Sequence, residues 1–126
     1  MTPLLDEWVE KAEADYQAAL VLNRQRKRPL PDSVCYHAQQ CIEKYLKAYL
    51  VFQNAAPPRT HDLPRLLLDG ASYDATLTAK ATLVQSLNPY GVVFRYPGMS
   101  ATVTEAKDAV KTLRRLRPFL RRKLGL

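Results

Sequence analysis

The chain has 126 residues, of which 47% are hydrophobic and 25% charged, with a formal net charge of +7. That length suits one domain over residues 1–126 with a single helical core, and the composition excludes a disordered or low-complexity chain. No apolar run approaches the ~20 residues of a membrane span, and the acidic, amphipathic start does not read as a signal peptide, so the cytoplasm is the expected location.

Thr2-Pro3 reads as an N-cap followed by proline at the first helical position. Asp6, Glu7 and Glu10 fall in the early turns, where the helix dipole favours negative charge. Leu5, Trp8 (or Val9), Ala12, Tyr16, Ala19 and Leu20 then give a helical stripe to about Asn23. The cluster Arg24 to Arg28 reads as a polar segment near that helix end, too short for a nucleic-acid patch. Pro29 and Pro31 end the segment, and Asp32 or Ser33 is expected to cap the next helix.

The second helix, to about Asn54, carries the strongest pattern. Val34, Ala38, Cys41, Tyr45, Ala48 and Phe52 recur at alternating steps of three and four, and Cys35, Ile42, Leu46 and Tyr49 widen the stripe. This is the helix against which the others should pack. Opposite stand His37, Gln40, Glu43, Lys44 and Lys47, with Glu43 and Lys47 in the favourable i, i+4 order. That face reads either as solvated surface or as the lining of a groove or dimer seam.

Ala55 to Arg59 breaks the chain, and Thr60 or Asp62 caps a short third helix with Pro64 in its first turn. Leu63, Leu66 and Leu67 are its buried edge, and Asp69-Gly70 ends it. A fourth helix is expected from Asp74 to Leu87, with Leu77, Ala81, Val84 and Leu87 on one face. The longest loop, Asn88 to Ser100, follows; Val92 to Phe94 has the composition of a brief extended piece. Thr102 or Thr104 caps the last helix, with a stripe of Val103, Ala106, Val110, Leu113, Leu116 and Leu120 and a kink or break expected at Pro118. The fold class is therefore all-α: an antiparallel up-and-down four-helix bundle with a short accessory helix.

Cys35 and Cys41 lie six residues apart on one helix, about 9 Å by its rise and beyond disulfide reach. They read as small buried hydrophobes, and no metal-binding pattern accompanies them. The basicity is localised: Thr104 to Leu126 holds eight basic and two acidic residues, a net +6 of the total +7. This helix either meets an anionic partner, such as a nucleotide or RNA, or is a solvated helix whose cations complement its own dipole.

No P-loop, dinucleotide-binding glycine pattern or Ser-His-Asp arrangement is present. His61, at a helix start beside Asp62, is either a general base or phosphate contact, or a residue that fixes its loop; His37 reads as a surface histidine. Phe94-Arg95-Tyr96-Pro97-Gly98 is more informative. An arginine beside a tyrosine in a Pro/Gly-bounded loop suits bidentate phosphate binding and base stacking, the competing role being a carboxylate pair with, for example, Glu43.

YHAQQCIEKYLKAYLVF (Tyr36 to Phe52), PPRTHDLPRLL (Pro57 to Leu67) and FRYP (Phe94 to Pro97), in that order, resemble the HEPN family, named for higher-eukaryote and prokaryote nucleotide binding. The resemblance implies an antiparallel helical bundle that forms a homodimer; no cofactor is expected. It also implies a minimal nucleotidyltransferase as partner, in toxin–antitoxin-like pairs. Many HEPN proteins are metal-independent ribonucleases, in which an Arg is followed four to six residues later by a His. Here Arg95 is followed by Tyr-Pro-Gly-Met-Ser-Ala-Thr and by no histidine, so that catalytic pair is not carried over. What carries over is binding, with Arg95, Tyr96, Lys44, Lys47, His61 and His37 as candidate nucleotide or phosphate contacts, and Lys44 and Lys47 expected to face the Arg95 loop. The alternative is a divergent ribonuclease using Arg95 and residues across a dimer interface. Tyr90 and Tyr96 are the candidate acceptors if the partner nucleotidylates this chain.

Overall fold

Proline placement sets the starts of three helices. The computed structural model describes residues 2–126. It places α1 over Pro3–Asn23, α2 over Pro31–Phe52 and α3 over Leu63–Ala71. In each, a proline stands in the first turn, where its missing N–H has no intrahelical partner to lose. A 3₁₀ helix over Ala75–Lys80, α4 over Ala81–Leu87, a 3₁₀ turn over Asn88–Gly91 and α5 over Val103–Lys123 complete the chain. The described residues contain no strand.

The α1 and α5 starts are capped as expected. Thr2 Oγ1 accepts the Leu5 N–H, and Thr102 with Glu105 forms a reciprocal capping box. The start of α2 is a correction. Leu30 holds the N-cap position, and neither Asp32 nor Ser33 caps. The Asp32 carboxylate instead accepts the Ala101 N–H at 2.6 Å, tying the start of α2 to the residue just before the α5 cap.

α2 is the axis of the bundle. It packs against α1, α3, α4, α5 and the 3₁₀ turn Asn88–Gly91. Cys35, Ala38, Cys41, Ile42, Tyr45, Leu46 and Leu50 are all essentially sealed from solvent. Phe52, placed on that stripe by its spacing, is exposed because α2 ends there. Burial pushes the Cys35 thiol up to about 12, with Glu105 and Asp32 adding to the shift, and raises Cys41 as well; both cysteines are inert packing groups.

The region expected to be a fourth long helix is split. Asp74 Oδ1 accepts both the backbone N–H and the hydroxyl of Thr76, and Thr78 Oγ1 donates to the Ala75 carbonyl. These local bonds compete with α-helical pairing, so the chain runs as a 3₁₀ helix until Ala81. Leu77, Val84 and Leu87 still face inward, whereas Ala81 is exposed. The bundle thus has three long helices, of 21, 22 and 21 residues, and its fourth position is filled by shorter pieces.

Val92 to Phe94 is turn rather than extended chain: Val93 N–H donates to the Pro89 carbonyl and Arg95 N–H to that of Val92. Gly91 is needed here, because a Cβ on it would stand 3.1 Å from the buried Gln39 side chain. α5 runs without interruption through Pro118 to Lys123, so there is no break at Arg117. Pro118 is exposed and only leaves the Arg114 carbonyl, also on the outer face, without its helical partner. Val103, expected in the α5 stripe, is exposed at the helix start.

Candidate functional site

The Arg95 loop folds over the first turns of α2. Asp32, Ser33 and Tyr36 from α2, with Tyr90, Phe94 and Arg95 from the loop, line an open cleft of about 370 Å³. Tyr90 and Phe94 stack with centroids 5.5 Å apart and planes 24° apart. The Arg95 guanidinium stands 6.0 Å from the Tyr36 ring centroid and is itself exposed. The cleft therefore combines aromatic faces, a carboxylate, a hydroxyl and one exposed guanidinium. That set suits a nucleotide: rings can stack a base, Arg95 can clamp an anion, and Asp32 or Ser33 can meet an amino or ribose hydroxyl group. Tyr90 has its hydroxyl pKa raised, chiefly by burial and secondarily by Cys35, Glu105 and Asp108.

A second polar cluster lies further along α2. Glu43 is almost fully buried; Lys47 Nζ is 3.3 Å from its Oε2, and the amide of the sealed Gln39 donates to its Oε1. His61 Nδ1 lies 2.9 Å from the same Oε1, while its ring is 73% exposed. The carboxylate thus pins one ring nitrogen and leaves the other edge of the imidazole to solvent, the arrangement of an oriented acid/base group. Gln39 also donates to the His61 carbonyl, and Leu63 N–H donates to Asn88 Oδ1. These bonds lay the His61 loop directly against the turn that carries Tyr90.

Of the six candidate nucleotide or phosphate contacts, the structure brings only Arg95 into the cleft, where Phe94 of the same motif and the candidate acceptor Tyr90 join it. Tyr96 is 66% exposed just beyond it. Lys44 does not face the Arg95 loop; its Nζ lies 2.5 Å from Asp15 Oδ2 on α1. Lys47 is buried on Glu43, with its ammonium 5.9 Å from the Trp8 ring centroid. His37 is half-buried, with Nδ1 2.8 Å from Asp15 Oδ1, and so is not a free surface histidine. Arg95 does not pair with Glu43, whose oxygens are taken by Lys47, Gln39 and His61. The face opposite the apolar stripe is consequently neither solvated surface nor groove lining at Glu43 and Lys47. α2 is covered on nearly every side, and those polar groups are buried as pairs.

Three partners went unseen in the sequence: Tyr36 in the cleft, and Asp15 and Glu13 on α1. Asp15 did leave a signal, since Ala12, Asp15 and Ala19 keep the three–four step of the buried stripe. Glu13 binds Arg117 through two hydrogen bonds, accepts from the Tyr45 hydroxyl and lies 3.5 Å from Arg121, joining α1, α2 and α5. Among the described residues, no three of His, Cys, Asp and Glu converge as a metal site, and no helix is long and apolar enough to cross a membrane.

A model of the HEPN domain matches residues 5–123. The chain belongs to the HEPN family. A curated relative from Methanocaldococcus jannaschii, named "Putative toxin MJ1304", is 30% identical over an alignment covering 94% of this chain and 90% of that protein. The crystal structure of ST0689, described as an archaeal HEPN homologue, superposes with a TM-score of 0.70 over 95% of this chain and 97% of its own, at 20% identity. At that identity the likeness is one of fold, and it agrees with the all-α HEPN bundle described above. Within the HEPN fold of this chain, Arg95 lies in the loop before the last helix, with no histidine after it to complete an Arg–His pair.

Proposed function

We propose that this HEPN protein is one member of a toxin–antitoxin-like pair and binds a nucleotide or a nucleotide unit of RNA in the Arg95 cleft. The observation that carries the binding part is the cleft itself, with stacked Tyr90 and Phe94, the Tyr36 wall and the exposed Arg95 guanidinium. The relative's name supports the toxin–antitoxin part. A minimal nucleotidyltransferase is the partner in this reading, and Tyr96, exposed at the cleft rim, is the better placed acceptor for nucleotidylation. The protein acts as a homodimer; Val92, Met99 and Val103, exposed between the 3₁₀ turn and the start of α5, offer apolar surface for that contact.

Calorimetric titration with AMP, UMP and ATP tests the binding. Arg95→Ala is expected to weaken the tightest of them about tenfold to a hundredfold, the range for losing a charge-assisted hydrogen bond. Absence of binding, or affinity unchanged by the substitution, would overturn the reading. A neighbouring nucleotidyltransferase gene product that co-purifies with the tagged chain supports the pairing, and a genome with no such neighbour counts against it.

One observation favours a second reading, a divergent metal-independent endoribonuclease: His61 is oriented by a buried carboxylate and open to solvent. In it, His61 would exchange the ribose 2′-OH proton and Arg95 would stabilise phosphate charge. Cleavage of a labelled RNA that falls at least about a hundredfold, within the usual acid/base contribution, in both His61→Ala and Arg95→Ala is the expected result of this reading. No cleavage by the wild type, or cleavage indifferent to both substitutions, removes it.

A further inference from the structure

The cations of α5 divide into two sets. Arg117 and Arg121 turn inward to Glu13, and Lys123 reaches Asp74, whose carboxyl it holds down to about 2. Lys107, Lys111, Arg114, Arg115 and Arg122 are all exposed. None of these five has a carboxylate within 4.0 Å among the described residues.

The five unpaired cations are not scattered. At 3.6 residues per turn they fall within a sector about 100° wide, and from Lys107 to Arg122 the helix rises about 23 Å. Pro118 is the only apolar residue in that sector, and Asp108 stands at its edge. The stripe starts six residues after the point where the cleft is tied to the α5 segment. Asp32, in the cleft, holds the Ala101 N–H immediately before the α5 cap, and Lys107 opens the second turn of α5.

We infer that a single-stranded nucleic acid lies along α5, its phosphates on Lys107, Lys111, Arg114, Arg115 and Arg122 and one unstacked base in the Arg95 cleft. This deepens the nucleotide-binding reading and rests on it for the base, while the phosphate track has its own support. A duplex would not free a base for the aromatic faces. An acidic protein surface is the other conceivable occupant, but protein interfaces take their affinity from buried apolar anchors, and this stripe has none. Unpaired lysines and arginines in a row are what neutralisation of a phosphate backbone requires.

Fluorescence anisotropy with labelled oligouridylate and oligothymidylate of about a dozen nucleotides tests the track; both serve, because it reads phosphates. With five contacts on a single strand, log affinity should fall against log salt with a slope of about −3.5, or about a hundredfold between roughly 50 and 200 mM. Lys111→Gln/Arg115→Gln/Arg122→Gln should flatten the slope by about 2, and Lys107→Gln/Arg114→Gln by about 1.4. All five side chains are exposed, and circular dichroism confirms that each variant is folded. Arg24→Gln/Arg26→Gln/Lys27→Gln, which removes as much charge from an exposed turn elsewhere, should leave the slope unchanged.

A flattening as large in that control, or none in the stripe variants, would overturn the track. So would equal competition by polyglutamate, which would assign the stripe to an acidic protein instead. Calorimetry with AMP and UMP separates the two readings. Mononucleotide binding dependent on Arg95, with oligomers no tighter and indifferent to the stripe, keeps the cleft and removes the track. Stripe-dependent oligomer binding without mononucleotide binding keeps the track and removes the cleft.

Discussion

Glu43→Ala is expected to destabilise the protein by about 3–5 kcal/mol, the range for removing one partner of a buried ion pair. Glu43 is 4% exposed and Lys47 8% exposed, so neither has water to fall back on. Without the carboxylate, the Lys47 ammonium keeps only the Trp8 ring nearby, and the sealed Gln39 amide loses its side-chain acceptor. Urea unfolding followed by far-ultraviolet circular dichroism measures the effect. The cost should come from the stranded partner rather than from any large net worth of the pair. Glu43→Leu combined with Lys47→Met should therefore recover much of the loss, leaving about 1–3 kcal/mol for the sealed Gln39 amide, which still lacks its side-chain acceptor. A single variant as stable as the wild type would show that the pair does not hold α2 in place.

Glu13→Ala should cost about 2–3 kcal/mol, the upper end for charge-assisted hydrogen bonds. The Glu13 and Arg117 side chains are each 27% exposed, so solvent screening keeps the figure below that of a fully buried pair. The loss concentrates on Tyr45, whose hydroxyl sits in a sealed residue and donates to Glu13 while accepting from Arg121. The Arg117 hydrogen bonds hold the Glu13 carboxyl below its ordinary range, burial opposing them and the Tyr45 hydroxyl reinforcing them. A carboxyl depressed on folding contributes stability that is fully present above its unfolded pKa of about 4.3 and is lost as pH falls through the folded value. The stability gap between wild type and Glu13→Gln should therefore be constant near neutrality and narrow below about pH 4. Equilibrium unfolding at a series of pH values checks this, and a gap that widened in acid would contradict the assignment.

Much of the helical framework was legible because it rests on local chemistry. Pro3 and Pro64 mark helix starts, Thr102 with Glu105 gives a cap, and the three–four apolar spacing of α2 marks the central helix, whereas Pro31, read as the end of the preceding segment, opens α2 instead. The split of the expected fourth helix was less legible. Its apolar spacing is helical, and the local bonds of Asp74, Thr76 and Thr78 outweigh that spacing over the six residues Ala75–Lys80. The site was partly legible. Arg95 stood out in a Pro/Gly-bounded loop, but its companion Tyr36 is 59 positions earlier in the chain, and no local pattern connects them.

Lys44 and Lys47 show the limit most clearly. A helical wheel groups them with His37 and Glu43, yet it says nothing of what covers that face. α1 supplies Asp15, and the surrounding elements exclude water from Glu43 and Lys47, so those cations are held inside rather than offered to a ligand. The same applies to α5, where sequence counts eight basic residues but only packing separates the three held by carboxylates from the five left open. By itself the sequence determined the helical class, the central place of the α2 segment, the HEPN resemblance and the absence of a histidine after Arg95. Periodicity, caps and motif order are properties of neighbours along the chain. Tertiary structure alone decided which charges are free, which are paired, and which aromatic rings meet Arg95, because burial and pairing depend on groups brought together from distant segments.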